Sequence, residues 1–250
     1  MKARFEVDTK GMRALHAGRE PWQLVKELIA NSWDEPTASE CLVSLKSIGP
    51  RKARLDVYDN GVGFAKIEDA WTLMGHTPKR MSPTVRGRFN IGEKEILCVA
   101  DWAQVKTAGK TITFPKTGGR SVRNGTEDKG TLVSCILPWG PRQVEETVAR
   151  LARLLPPKGM TFIISGNHVP YQEPLKTAEA TLETVLQASL TDCIRITRRK
   201  TTVEIYRGNG KGELFEMGIP VQSIECKYLV NVMQKVPLPP NRDVVRDSYL

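Results

Sequence analysis

In this chain of 250 residues, the groups best suited to chemistry fall in four short stretches. One runs G-R-F-N-I-G-E-K-E-I-L-C-V-A from Gly87 to Ala100. Its glycines at 87 and 92 precede an apolar helical run. A glycine-rich loop that opens a helix presents unpaired backbone N–H groups and a positive dipole end, which suits a polyphosphate. Lys94, in the first helical turn, adds a point charge. The pattern is neither a Walker A sequence nor G-x-G-x-x-G, so it is weak alone. A second stretch, D-N-G-V-G from Asp59 to Gly63, ends a strand-like L-D-V-Y. Gly61 and Gly63 allow a sharp turn and close approach to a ligand, because no Cβ intervenes; the same pattern is also ordinary turn chemistry. The third is a polar stripe, Glu27, Asn31 and Asp34, spaced i, i+4, i+7 within an arc of roughly 60° on a helix. Two carboxylates and an amide in line either line a site or form a solvated face. The fourth, Gly130-Thr131, opens an apolar strand, where a threonine by itself is simply a β-former.

These groups depend on the elements that carry them. Pro21 suits a first helical turn, and the residues after it are mostly helix formers, with Trp22, Val25, Leu28, Ile29 and Trp33 on one apolar face. Cys41 to Lys46 and Ala53 to Asp59 alternate apolar with polar and predict two strands, with the basic cluster Arg51 to Arg54 at the hairpin end. A short helix is expected near Ile67 to Met74. The polar segment after it, G-H-T-P-K-R-M-S-P-T-V-R, carries Lys79, Arg80 and Arg86 and no acid. That composition suits a lid over an anionic substrate, or a plain surface loop. Strands follow at Trp102 to Thr107, Lys110 to Phe114 and L-V-S-C-I-L-P, and another short one is expected around Phe5 and Val7.

Hydrophobic content of 40% with 26% charged residues belongs to a chain that buries a real core. The net charge of +9 suits an anionic partner such as nucleotide, nucleic acid or an acidic membrane surface, without choosing among them. Five scattered cysteines without a C-x-x-C pair, and only three histidines, argue against structural zinc and for a reducing compartment. No signal-peptide core and no run of about 18 apolar residues is present, so a soluble, cytoplasmic protein without a membrane span is expected.

Taken together and in this order, the four stretches resemble the GHKL ATPases: gyrase-type topoisomerase subunits, MutL-type repair proteins, heat-shock chaperones of that superfamily, MORC proteins and histidine kinases. E-L-I-A-N-S-W-D-E matches the helix box, D-N-G-V-G the first glycine box, G-R-F-N-I-G-E-K-E the second, and G-T-L-V the terminal Gly-Thr. The resemblance implies an α+β fold. Residues 1–140 would form a Bergerat-type α/β sandwich with helices on one face of a mixed sheet, and residues 141–250 a smaller, transducer-like α+β domain. It implies Mg²⁺ held by the amide oxygen of Asn31, and Glu27 as the general base that orients the attacking water. Asp59 would accept a hydrogen bond from the adenine amino group, with Thr131 beside it through a shared water and the base lying against Gly61 and Gly63. The loop from Gly87 through Asn90 and Gly92 to Lys94 would wrap the phosphates. Thr77 and Lys79 lie in a lid segment similar to the G-x-S-x-K of MORC and topoisomerase VI proteins, and Asp34 fits the helix-box pattern. Asn90 departs from the family, standing where glycine is common. Histidine kinases usually carry asparagine in place of Glu27, and His16 lacks the acidic follower of a phosphoacceptor. The likeness is therefore closer to the gyrase, MutL, MORC and topoisomerase VI B side.

Beyond Pro141 an amphipathic helix is predicted over Val144 to Leu155, then the strand G-M-T-F-I-I-S, then a helix around Ala178 to Leu190. Strands are predicted at Cys193 to Thr197, Thr202 to Tyr206, Glu213 to Met217 and Tyr228 to Met233. Lys235, in a stretch similar to the V-P-L segment of topoisomerase VI B subunits, is a candidate for the lysine that reaches the ATP γ-phosphate in relatives. Arg195, Arg198, Arg199 and Lys200 face either nucleic acid or solvent. The function the resemblance implies is a Mg²⁺-dependent ATPase whose lid closure and homodimerisation drive a clamp acting on DNA, with room for further domains or subunits. The alternatives are a nucleotide-responsive DNA-binding clamp with negligible turnover and a chaperone-like protein clamp.

Overall fold

Cys41, Val43 and Leu45 alternate with polar residues, as do Ala53, Leu55, Val57 and Asp59. In the computed structural model these rows are the buried faces of two antiparallel strands, β1 (Glu40–Gly49) and β2 (Lys52–Asp59). The structure describes residues 7–75, 77–126, 129–189, 192–238, 245–246 and 249. They fall into two compact units, one of residues 1–75, 90–153 and 160–169, the other of 76–89, 154–159 and 170–250.

The first unit is built on an eight-stranded sheet. β3 (Trp102–Thr107), β4 (Lys110–Pro115), β5 (Ser121–Asn124), β6 (Thr131–Leu137), β7 (Thr161–Ile164) and β8 (Asn167–Val169) join the first two in the order β5-β4-β3-β6-β2-β1-β7-β8. The β1–β7 pairing is parallel and the others are antiparallel, so the sheet is mixed. Four helices belong to this unit among the described residues: α1 (Thr9–His16), α2 (Pro21–Trp33), α3 (Gly92–Val99) and α4 (Pro141–Leu151). α2 packs on β1 and β2 and against α3 and α4, while α1 packs on α3. α4, β7 and β8 join this unit because β7 pairs with β1 and α4 packs on α2 and β1, so the unit continues past residue 140.

α2 is buried almost all round. Besides Leu24, Val25, Leu28, Ile29 and Trp33, its charged Lys26 and Glu27 are also buried. The polar stripe is therefore not a solvated face. Trp33 closes the end of the helix edge-on against Phe162, with ring centroids 5.1 Å apart.

The second unit holds a five-stranded sheet. Its strands are β9 (Lys176–Gln187), β10 (Ile194–Arg207), β11 (Gly212–Glu216), β12 (Ile219–Ile224) and β13 (Tyr228–Val232), ordered β12-β11-β13-β10-β9. Two expectations change here. The helix predicted around Ala178 to Leu190 is instead β9, paired along its length with β10. Its Ala, Glu and Leu residues carry helix propensity. Yet Ala178, Ala180, Leu182, Thr184 and Leu186 follow a period of two, and cross-strand pairing decides. The two strands predicted over 193–206 are one strand, so Arg198 to Lys200 lie mid-strand and not in a turn. The helix expected near Ile67 to Met74 is only a 3₁₀ turn, Ile67–Ala70. Phe5 lies outside the described residues, and Val7 is in no strand.

Candidate functional site

The period of two that buries Ala53, Leu55 and Val57 also puts Asp59 on the core-facing side of β2. A carboxylate ends an otherwise apolar row. Register then extends a polar line across the sheet. Asp59 pairs with Thr131 on β6, and Thr131 pairs with Thr107 on β3. The two threonine hydroxyls are 3.1 Å apart, and Thr107 Oγ1 accepts the Phe64 N–H at 2.9 Å. Asp59 Oδ1 accepts the Gly61 N–H at 3.0 Å, and the Ser32 hydroxyl on α2 donates to Asp59 Oδ2 at 3.4 Å. Burial raises the Asp59 carboxyl to about 6, and the nearby Glu35 charge adds to this. The Gly61 N–H, the Ser32 hydroxyl and the Thr131 N–H pull the other way. On the neighbouring strand, burial pushes the Cys41 thiol up to about 12, so it is an inert core group.

Glycines shape this corner through the space they leave. Gly63 has φ +85°, and a Cβ there would sit 2.6 Å from Thr107 Oγ1. Gly130 has φ +78°, donates its N–H to the Gly61 carbonyl at 2.6 Å, and lies over the Asp59 backbone. The D-N-G-V-G turn and the Gly-Thr pair are thus one joint.

The other half of the site is the facing of α2 and α3. A Cβ at Gly92 would collide with the Glu27 carboxylate, so the first residue of α3 is glycine where the two helices touch. One turn on, Asn31 Nδ2 donates to Glu93 Oε2 at 2.6 Å. Lys94 is 5% exposed, and its ammonium donates to Glu93 Oε1 at 2.6 Å, to Asn90 Oδ1 at 3.0 Å and to the Asp69 carbonyl. Those three bonds use all three ammonium protons. Asn90 has φ +54°, the left-handed region that glycine enters freely and asparagine tolerates best among the rest. An asparagine therefore meets a backbone requirement here that glycine would also meet. Its amide also donates to the Thr72 carbonyl at 2.7 Å. Asp34 is the buried C-cap of α2.

Glu27, Asn31, Asp34, Asp59, Gly61, Gly63, Asn90, Gly92, Lys94 and Thr131 all belong to the first unit. Thr77, Lys79 and Gly87 belong to the second, where Thr77 caps a 3₁₀ turn, Pro78–Met81, and Gly87 lies against the Lys79 side chain. Lys235 is fully buried there. Its ammonium donates to the Lys79 carbonyl, and its backbone N–H to the Pro83 carbonyl at 2.7 Å. Arg88 and Glu216 form a buried pair at 2.7 Å that fixes the same segment. Sequence reasoning missed Ser32, Thr107 and Glu93 as members of these clusters. Glu93 had a signal, being an acid inside the glycine box next to Lys94, whereas Ser32 and Thr107 emerge only from register and helix packing.

As a ligand for Mg²⁺, Asn31 fits: its amide nitrogen is committed to Glu93, so its oxygen is the free end, a hard donor. Among the described residues no cluster of three or more acidic, cysteine or histidine groups forms a metal cage, so such an ion would take further oxygens from a ligand and water.

The order of sheet and helices is that of an α+β fold found in solved ATPase regions. No protein-family model and no curated protein sequence matches the chain. Solved structures do match in fold. The ATPase region of Saccharomyces cerevisiae topoisomerase II superposes with a TM-score of 0.53 at 11% identity, over 80% of this chain and 62% of that one. The same region bound to ICRF-187 (dexrazoxane) gives 0.57 at 8% identity, over 89% and 76%. No described helix is long and apolar enough to cross a membrane.

Proposed function

We propose that the chain binds ATP with Mg²⁺ and hydrolyses it, as a nucleotide-driven switch. One observation carries this reading. α2 reaches both halves of the site, touching Asp59 through Ser32 and the start of α3 through Glu27 and Asn31. Asp59, ionised at neutral pH, accepts from the adenine amino group, and Thr131 steadies the same edge. Gly61 and Gly63 leave room for the base against the turn. Glu27 takes the proton of the attacking water, and its burial beside Gly92 keeps it at the helix end where phosphates are favoured. Asn31 would hold Mg²⁺ through Oδ1; the ion, when bound, neutralises charge on the phosphate oxygens. Lys94 contributes positive potential and holds the loop, since its own protons are taken. Thr77, Lys79 and Gly87 are assigned to a phosphate lid, and the grip of Lys235 on the Lys79 carbonyl supports a role for that lysine in ordering it.

The direct test is phosphate release from Mg²⁺-ATP. Glu27→Gln should lower kcat about 10²–10⁴-fold, the usual contribution of a general base, while nucleotide still binds. An unchanged rate removes Glu27 from the role.

A second reading, a clamp on DNA with negligible turnover, is favoured by the first half of β10, where Arg195, Arg198, Arg199 and Lys200 are exposed. It requires duplex binding that falls steeply with salt and is promoted by ATP but not ADP. ATP-dependent homodimerisation, the likeness to the gyrase, MutL, MORC and topoisomerase VI B side, and a cytoplasmic location belong to the same proposal. Size exclusion with a non-hydrolysable ATP analogue tests the dimer.

A further inference from the structure

We propose that Glu93 is a positioning residue for Asn31: it fixes which end of the Asn31 amide faces the site, so that Oδ1 is offered to the cation. This rests on the nucleotide reading above. Glu93 Oε2 lies 2.6 Å from the Asn31 amide, and an ionised carboxylate only accepts, so the amide nitrogen must be the atom facing it. The carbonyl end then points away, and among the described residues no hydrogen-bond donor meets it. Without Glu93 the amide could present either end, and half of its orientations would aim N–H groups at a cation.

Glu93 is itself held. Its other oxygen takes the Lys94 ammonium at 2.6 Å, and Lys94 is anchored to Asn90 Oδ1 at 3.0 Å and to the Asp69 carbonyl. Asn90 in turn is anchored on the Thr72 carbonyl at 2.7 Å. A chain of hydrogen bonds thus runs from the backbone at 69–72 through Asn90, Lys94 and Glu93 to Asn31. The ammonium also offsets the charge of Glu93, leaving it to act by hydrogen-bond direction. Groups behind a metal ligand that set its orientation typically change metal affinity about 10–100-fold when removed.

The experiment measures affinity for a fluorescent ATP analogue in Mg²⁺ and in EDTA, for the parent, Glu93→Gln and Glu93→Ala, with thermal melts to establish folding. The Gln carbonyl can still accept from Asn31, so Glu93→Gln should keep the affinity gain that Mg²⁺ gives. Glu93→Ala should lose about 10-fold or more of that gain while its affinity in EDTA stays within about threefold of the parent. Loss of affinity equally in both media, or melting changes with the Mg²⁺ gain intact, would make Glu93 a structural residue only and overturn the proposal. A parent that binds no nucleotide in either medium fails the functional reading itself, and a parent that binds with a Glu93→Ala gain unchanged fails this inference alone. Should Glu93→Ala not fold, a donor–acceptor swap replaces it. Asn31→Asp alone sets two carboxylates against each other and should lose the gain, whereas Asn31→Asp with Glu93→Gln restores a donor to the pair and should recover it; no recovery overturns the proposal.

Discussion

Ser32 Oγ lies 3.4 Å from Asp59 Oδ2, so the helix that carries Glu27 and Asn31 is tied to the strand end that carries the one acid in the buried row of β2. Both residues are buried, and their neighbours are the Gly61 turn and the Thr131–Thr107 pair. A carboxylate in such a place disfavours its own ionisation, and a fold keeps it there at some expense in stability. A ligand that donates a hydrogen bond to it offsets that expense.

The pH dependence follows from this carboxyl. Its folded-state value, about 6, lies above the ordinary 3.8 because of burial, against which the Gly61, Ser32 and Thr131 donors work and to which Glu35 adds. The folded state therefore holds the proton more tightly than the unfolded chain. The stabilisation from that proton is complete below the unfolded value and is lost as pH rises through about 6. On the proposed reading nucleotide binding has the opposite sign, since the ionised carboxylate is the stronger acceptor for the adenine amino group. Affinity should rise with pH up to about 6 and level off above it. Titrations of ATP analogue between pH 5 and 8, with circular dichroism to establish folding, check this.

Gly63 combines a left-handed backbone with no room for a Cβ. At φ +85° and 2.6 Å from Thr107 Oγ1, alanine there strains the turn and pushes the threonine that supports Phe64 and Thr131. Gly63→Ala should cost about 1–3 kcal/mol, read as a fall in Tm, and should weaken nucleotide binding as well.

Asn90 separates backbone from side-chain effects. Asn90→Gly keeps the φ of +54° without strain but gives up the bonds to the Thr72 carbonyl and Lys94. Asn90→Ala gives up those bonds and adds left-handed strain of about 1–2 kcal/mol. Denaturant unfolding should rank the parent first, Asn90→Gly second and Asn90→Ala last.

What the sequence made legible was local. Alternation named β1 and β2, and the spacing of Glu27 and Asn31 put them one turn apart on α2, where they meet Gly92 and Glu93 of α3. The row from Asp59 through Thr131 to Thr107 was not legible, because register between β2, β6 and β3 is set by packing across residues far apart in the chain. Lys94 shows a different limit. Composition marks it as a cation in a phosphate loop, while the fold gives its three protons to Asp69, Asn90 and Glu93. β9 was misread for a third reason: helix-forming residue types were weighed above a period of two.

The most direct measurement is an equilibrium titration of a fluorescent ATP analogue, with Mg²⁺ present and unlabelled ATP as competitor, on the parent and on Asp59→Asn. The parent should show one saturable site that ATP empties, and the variant no saturable binding while its melt stays cooperative. A parent that does not bind, or a variant that binds as the parent does, contradicts the proposed function.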